Sequence, residues 1–275
     1  MNDTLEPDVF PLGRRDAPHA EALCGPTSAT WRLRENGGVI LAMAKARAAL
    51  LQLAHPKIAA GTAEHSRFEA DPYRRIRITG QTMSAILLGS AEERHEALRR
   101  LGRLHANVRG TIAGGDTYRA NDPELMWFVL ATLTDSDLVV EARYVRHFDD
   151  DQRDRYYRES LLLADAFGVP QALVAPDRAA LHSYLDSACD RLAVGEEARR
   201  LGAKVLEPTY LRAPRPLIWG YTQLMVDLLP SSLRRGYGHP DDPPPGARLC
   251  VAAARFGLPR IPPRLRRVRV AERTP

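Results

Sequence analysis

The sequence predicts an all-α fold. Apolar residues recur at intervals of three and four along most of the chain, which places them on one helix face. Helix starts are written out, as Asp71-Pro72, as Asp122-Pro123, and as Ser90 ahead of Glu92 and Glu93. No series of alternating polar and apolar residues marks out a sheet, and there is no internal repeat.

Residues 1–30 are rich in proline, glycine and polar side chains and read as an extended arm. The ordered body is expected from Trp31 and Leu33. Val39–Ala54 carries alanine and leucine at helical spacing. His55 reads as its C-terminal cap, because Pro56 must open a new turn or helix. Lys57–Phe68 is a second, short helix, with Gly61 allowing close packing. Asp71-Pro72 starts the next, which runs through Arg75, Thr79, Met83 and Ile86 to Gly89. Ser90 caps a helix that places Leu98, Leu101, Leu104, His105 and Val108 on one apolar face.

Ile112–Ala120 is a glycine-rich loop. Asn121-Asp122-Pro123 opens a helix through Trp127, Leu130 and Leu133, with a restart expected at Ser136 or Asp137. Aspartates 149–151 cap a helix containing Tyr156 and Tyr157, and Gly168-Val-Pro170 ends it. Pro176-Asp177 opens another through Leu181, Tyr184 and Leu185. Pro214–Leu229 is an apolar helix stopped by Pro230, and HPDDPPPGARL is a loop. The expected organisation is one helical domain over 31–238, an N-terminal arm over 1–30 and a Pro/Arg-rich C-terminal tail over 239–275.

Composition narrows the function classes. The formal charge is +5, and much of the excess sits in Arg260, Arg264, Arg266, Arg267 and Arg269. Such a patch suits a nucleic acid or an anionic membrane. A solvated, arginine-rich terminus is the favoured reading, because no zinc pattern, RNA-binding aromatic signature or paired-helix DNA reader accompanies it. No nucleic-acid partner is therefore expected. Cys24, Cys189 and Cys250 are far apart and form no CxxC pair, which removes the usual zinc and iron–sulfur spacings. The start lacks the apolar core of a secretory signal. The longest apolar run, Val39–Leu53, is broken by Lys45 and Arg47 and is too short to span a bilayer. A cytoplasmic, reducing location is expected.

Histidines are the candidate chemistry. A helical protein with histidines in apolar surroundings and no paired cysteines is a natural haem host. His105 lies on a predicted apolar face, as an axial haem ligand must. Spacing alone favours a core histidine with a satisfied hydrogen bond. His65 follows Glu64 and reads as a contact across a helix pair. Arg75 and Thr79 share a helix face one turn apart. They read equally as a surface cluster or as a holder for an anionic group such as a propionate. Glu92–His95 is a single E-x-x-H, short of the set a di-iron bundle requires. HExxH, GxSxG, GxGxxG and P-loop patterns are absent.

Several segments in order, namely LLQLAHPKIAAGTAEHSRF, DPYRRIRIT, the H-x-x-V-x-G at His105–Gly110, DTYRANDPELMW, ATLTDS, DRYYRES, FGVP and LLPSSLRRGYG, resemble the rubber-oxygenase (latex-clearing protein) catalytic-domain family. That family includes the endoplasmic-reticulum-bound oxygenases of mycophenolic acid biosynthesis. The resemblance runs from about Trp31 to Tyr237. It implies a globin-like helical fold around one non-covalent haem b, and oxygenase chemistry at its iron. It assigns His105 as the metal ligand, and Arg75 and Thr79 as haem-pocket residues. His65 is a further pocket residue. Glu64 is a candidate distal acid or base, with an exposed helix carboxylate as the equal alternative. The implied partners are dioxygen and a lipophilic small molecule, oxidised by carbon–carbon double-bond cleavage or by oxygen insertion.

The chain also departs from the family pattern. Ile78 stands where some latex-clearing proteins place a distal lysine, which implies an open or water-filled distal position. Leu130 stands where many members carry a histidine, so a polar role there is not shared. Two rival readings of the same residues are a haem carrier or sensor without turnover and a non-oxygenative haem tailoring enzyme. A third is a scaffold that has lost the cofactor.

Overall fold

The computed structural model describes residues 23–266 except 67, 69, 71 and 209–212. Most of the expected arm, the Asp71 cap and the last residues of the tail lie outside the described residues. Among the described residues the chain is all-α apart from one small hairpin.

Helix α1 (Ala29–Gly37) is capped by Ser28, whose Oγ accepts from Trp31 N. It is also held by Glu159, whose carboxylate accepts from Ala29 N and Thr30 N. Order begins ahead of Trp31, since Cys24 is buried and its N–H donates to Leu87 O at 2.8 Å. Then follow α2 (Leu41–Leu53), α3 (Pro56–His65), α4 (Pro72–Leu88) and α5 (Ala91–Ala106). Ser90 and Glu93 close a reciprocal capping box at the start of α5. His55 departs from its expected place. It is the extended residue ahead of α3, not the end of α2, because Pro56 takes the first helical position.

The glycine-rich segment is a hairpin rather than a loop. Strand β1 (Arg109–Thr111) pairs antiparallel with β2 (Thr117–Arg119), and Gly114 and Gly115 turn the chain at φ +104° and +93°. Strands this short leave no periodic signal. Helix α6 (Pro123–Val140) runs unbroken through Ser136 and Asp137, where a restart was expected, because both side chains are buried inside it. Next are α7 (Asp150–Ala166), α8 (Arg178–Arg191), α9 (Glu196–Leu206), α10 (Arg215–Leu228) and α11 (Ser231–Gly236). Helix α9 was not anticipated, although Ala198, Leu201, Val205 and Leu206 form its buried stripe at helical spacing. The proline-rich segment is a loop only as far as Pro244. Helix α12 (Pro245–Gly257) follows, then the single turn α13 (Pro263–Arg266).

Helices α2 and α6 form the antiparallel centre. Helix α6 is buried on nearly every side, which suits an all-round apolar sequence. One apolar cluster joins α2 to α9 and α10. A second joins the first half of α6 to α4, α5, α7 and α8, and a third, small one joins α1 to the end of α6 and to α7. Three polar ties lock α2 to α6. Lys45 Nζ meets Asp137 at 2.6 Å, Arg47 meets Asp135 at 2.7 Å and Gln52 donates to Thr132 Oγ1 at 2.9 Å. The two cations that interrupt the apolar run of α2 are therefore partners of the aspartates in the TLTDSD segment.

Candidate functional site

The tight turn at Gly89-Ser90 makes α4 and α5 an antiparallel pair. That pairing sets Arg75, in the first turn of α4, opposite His105, in the last turn of α5. Thr79 lies one turn further along α4 and is half-buried. The Arg75 charge acts directly on the His105 ring. The His105 pKa falls from the usual 6.5 to about 4, first through desolvation and then through Arg75, while a side-chain interaction with Asn121 opposes the shift. The imidazole is therefore neutral across the physiological range.

Arg75 is partly open to solvent, yet surrounded closely enough that desolvation lowers its pKa. Its guanidinium donates to Ser66 Oγ at 3.2 Å and meets no carboxylate among the described residues. Leu104, expected on the buried face, is 57 % exposed beside His105, because it sits about 100° around α5 from that residue.

The hairpin completes the surroundings. Val108 N donates to His105 O and Ala120 N to Val108 O, so the returning strand delivers Asn121 to the histidine. Tyr118 is buried, and its hydroxyl donates to Glu64 Oε2 at 2.6 Å. Burial and this carboxylate push its pKa up to about 12. His65 Nε2 lies 3.2 Å from Arg109 O, and its ring meets Tyr118 edge-on. Glu64 and His65 thus stand at the end of α3, bound to the hairpin. Glu64 remains about half exposed, with one oxygen committed to Tyr118.

Glycines make room for that tyrosine. A Cβ on Gly110 would stand 2.7 Å from the Tyr118 hydroxyl, and one on Gly61 would stand 3.1 Å from its ring. The glycine of H-x-x-V-x-G is thus a packing requirement. Gly110→Ala is expected to cost about 1–3 kcal/mol of stability in the wild-type background. It is expected to cost little beside Tyr118→Ala, and a thermal double-mutant cycle reads the difference. Equal costs in both backgrounds would contradict the packing account.

The sequence points to no site role for Tyr118 or Asn121, although both lie in the DTYRANDPELMW segment. Neither stands at helical spacing from His105, and only the hairpin brings them there. His55 also approaches this end of α6. Its ring is tilted against Phe128 at 5.4 Å, its Nδ1 is buried without a hydrogen bond, and Asp122 acts on it electrostatically. Desolvation and Lys57 lower its pKa, so it too is held neutral. Leu130 is buried in the apolar cluster.

A separate cleft of about 740 Å³ opens between α6, α7 and α8, lined by residues including Asp135, Tyr157, Arg178 and His182. It shares no residue with the His105 group. Two of its wall cations are paired, Arg153 with Glu141 and Arg178 with Asp154. The histidine group carries the less compensated chemistry. No cluster of three or more His, Cys, Asp or Glu side chains suited to a metal ion occurs among the described residues. His105 is a single imidazole donor of the kind a porphyrin-held iron requires, with the Arg75 cation opposite it. These residues fit a haem.

The family model described as ER-bound oxygenase mpaB/B'/rubber oxygenase, catalytic domain, matches residues 31–258. The chain belongs to this family. The match takes in the His105 group and reaches past α12. The chain is also 26 % identical over 172 residues to uncharacterized protein Mb2261 of Mycobacterium bovis, covering 60 % of this chain and 68 % of that one. It is similar to the same extent to uncharacterized protein Rv2237 of Mycobacterium tuberculosis. No solved structure matches. Membership in an oxygenase family makes the chain an oxidoreductase with a substrate and dioxygen as reactants. No helix among the described residues is long and apolar enough to cross a membrane.

Proposed function

We propose that the chain is a haem b-dependent oxygenase acting on a lipophilic small molecule, with His105 as the iron ligand. The observation that carries the reading is the neutral His105 facing Arg75, a cation without a carboxylate partner among the described residues. Haem, when bound, supplies the dioxygen-activating chemistry. His105 offers a lone pair without first losing a proton. Arg75 would hold a propionate, and the Thr79 hydroxyl stands one turn away on the same helix. Tyr118 and His65 fix the hairpin that carries Asn121, and Asn121 orients the imidazole. Glu64 is the candidate acid or base at the rim, and it accepts a hydrogen bond from the Tyr118 hydroxyl. Leu104 and Val108 supply an apolar flank for the substrate. Three cysteines without a disulfide support a reducing, cytoplasmic setting.

The test is an absorption spectrum of the purified protein with pyridine-haemochrome quantitation, followed by incorporation of labelled dioxygen into a product. A strong Soret band at near-stoichiometric haem is expected. A colourless protein that fails to take up added haemin would overturn the reading. Haem without oxygen-dependent product would make the chain a carrier or sensor.

The low His105 pKa has a measurable consequence in the haem-free protein. Between its usual 6.5 and about 4, the unfolded chain holds a proton that the folded chain lacks. Stability is therefore expected to fall as pH drops through this window, by on the order of 2–3 kcal/mol from this group. Thermal melts at pH 8 and pH 5 should show a larger loss for wild type than for His105→Ala. Equal losses would exclude a His105 held neutral by its surroundings.

A further inference from the structure

Helix α12 packs on the body through Ala247 and Ala254, with Leu258 just beyond its end. Its opposite face is apolar as well. Leu249, Ala252, Ala253 and Phe256 are all exposed, and their spacing of three, four and seven puts them on one stripe. Leu249 is 72 % exposed and Phe256 is 64 % exposed. The stripe continues onto α10, where the exposed Trp219 ring comes within 4.0 Å of where a Gly246 Cβ would stand. Gly246 lies one turn before Leu249. At the far end the Arg260 guanidinium lies 3.6 Å over the Phe256 ring. Leu265, in α13, is 70 % exposed. An exposed apolar stripe of this kind, edged by cations, marks an interaction face.

Charge identifies the occupant. From Pro243 to Val270 there are seven arginines and no acidic residue. Arg248 is paired with Asp242 and Arg255 with Asp227. The five that follow, Arg260, Arg264, Arg266, Arg267 and Arg269, equal the chain's entire formal excess of +5. A second copy of the chain docking here would set arginines against arginines. A nucleic acid would leave the leucine, phenylalanine and tryptophan without partners. An anionic lipid surface satisfies both halves, with phosphates for the guanidinium groups and acyl chains for the stripe.

We propose that α12, Trp219 and the segment Leu258–Leu265 form a peripheral docking face for an anionic bilayer. Trp219, Leu249 and Phe256 enter the headgroup layer, and Arg260 and Arg264 bind lipid phosphates. The helix lies in the plane of the surface and does not span it. This face is independent of whether haem is bound at His105.

The test is flotation of the full-length protein with phosphatidylcholine vesicles, pure or containing about one-third phosphatidylglycerol. Expected is at least about tenfold stronger retention on the anionic vesicles, weakened by high salt. Leu249→Ser/Phe256→Ser should cut that retention about tenfold with an unchanged melting temperature. Arg260→Glu/Arg264→Glu should abolish the preference for anionic over neutral lipid. Equal retention on both vesicle types would overturn the proposal, as would double variants that bind like wild type. Sedimentation velocity showing a self-association that Leu249→Ser/Phe256→Ser disrupts would assign the face to a second copy instead.

Discussion

Replacing Arg47 with leucine is expected to destabilise the fold by roughly 3–5 kcal/mol, or about 10 °C in melting temperature. Arg47 and Asp135 are both buried, one on each of the two central helices. Arg47 also donates to Leu228 O at 2.8 Å and to Ser136 Oγ at 2.8 Å, tying α10 to the same pair. Burial by itself would raise the Asp135 pKa. The Arg47 charge and the hydrogen bonds from Arg47 and His182 outweigh burial and hold it below 3.8. The pair's contribution is thus present above that value and is lost as pH falls through the lower folded pKa.

Without Arg47 the carboxylate keeps only His182, whose Nδ1 is 3.5 Å away and whose side chain is largely exposed. The cost is that of a stranded charge rather than of a lost bond. The double variant Arg47→Leu/Asp135→Leu should therefore recover most of the stability that either single change removes. Urea unfolding of the three proteins decides it. Additive losses in the double variant would show that the helices need the ion pair itself.

Replacing His105 with alanine is expected to lower haem affinity by more than about a hundredfold, since even outer partners of a metal ligand are worth ten- to a hundredfold. The Soret band of the purified variant should be weak, and added imidazole should restore part of it by filling the missing position. Arg75→Gln should retain the histidine-ligated spectrum with about tenfold weaker binding, because it removes a charge-assisted contact and not the ligand. A variant lacking His105 that keeps full haem and an unchanged spectrum would move the ligand elsewhere. His55, the other half-buried neutral histidine near the start of α6, would be the next to replace.

Much of the helical plan was legible, and each miss has its own physical cause. Ser90, Asp122, Asp149 and Asp177 cap the helices they were expected to cap, because a cap is a local hydrogen bond within three residues. The hairpin was missed because three-residue strands carry no period. His55 was misplaced because the helix-starting preference of Pro56 overrode a capping role at the preceding helix end. Leu104 was placed in the core by its spacing from Leu101, although it lies off the face shared by Leu98, Leu101 and His105. The aspartates of TLTDSD gave no hint of their partners, since Lys45 and Arg47 lie some ninety residues away.

By itself the sequence determined the all-α class, the start of most helices and the set of histidines and arginines available for chemistry. Helix spacing and capping act within a few residues, so the linear order contains them. Tertiary structure alone decided the rest. The α4–α5 hairpin turned Arg75 onto His105, the β-hairpin delivered Tyr118 and Asn121, and the α2–α6 contact paired the buried charges. It also left one apolar face of α12 uncovered. A charge or a burial shift depends on which atoms are near in space, and chain distance does not encode that until the helices pack.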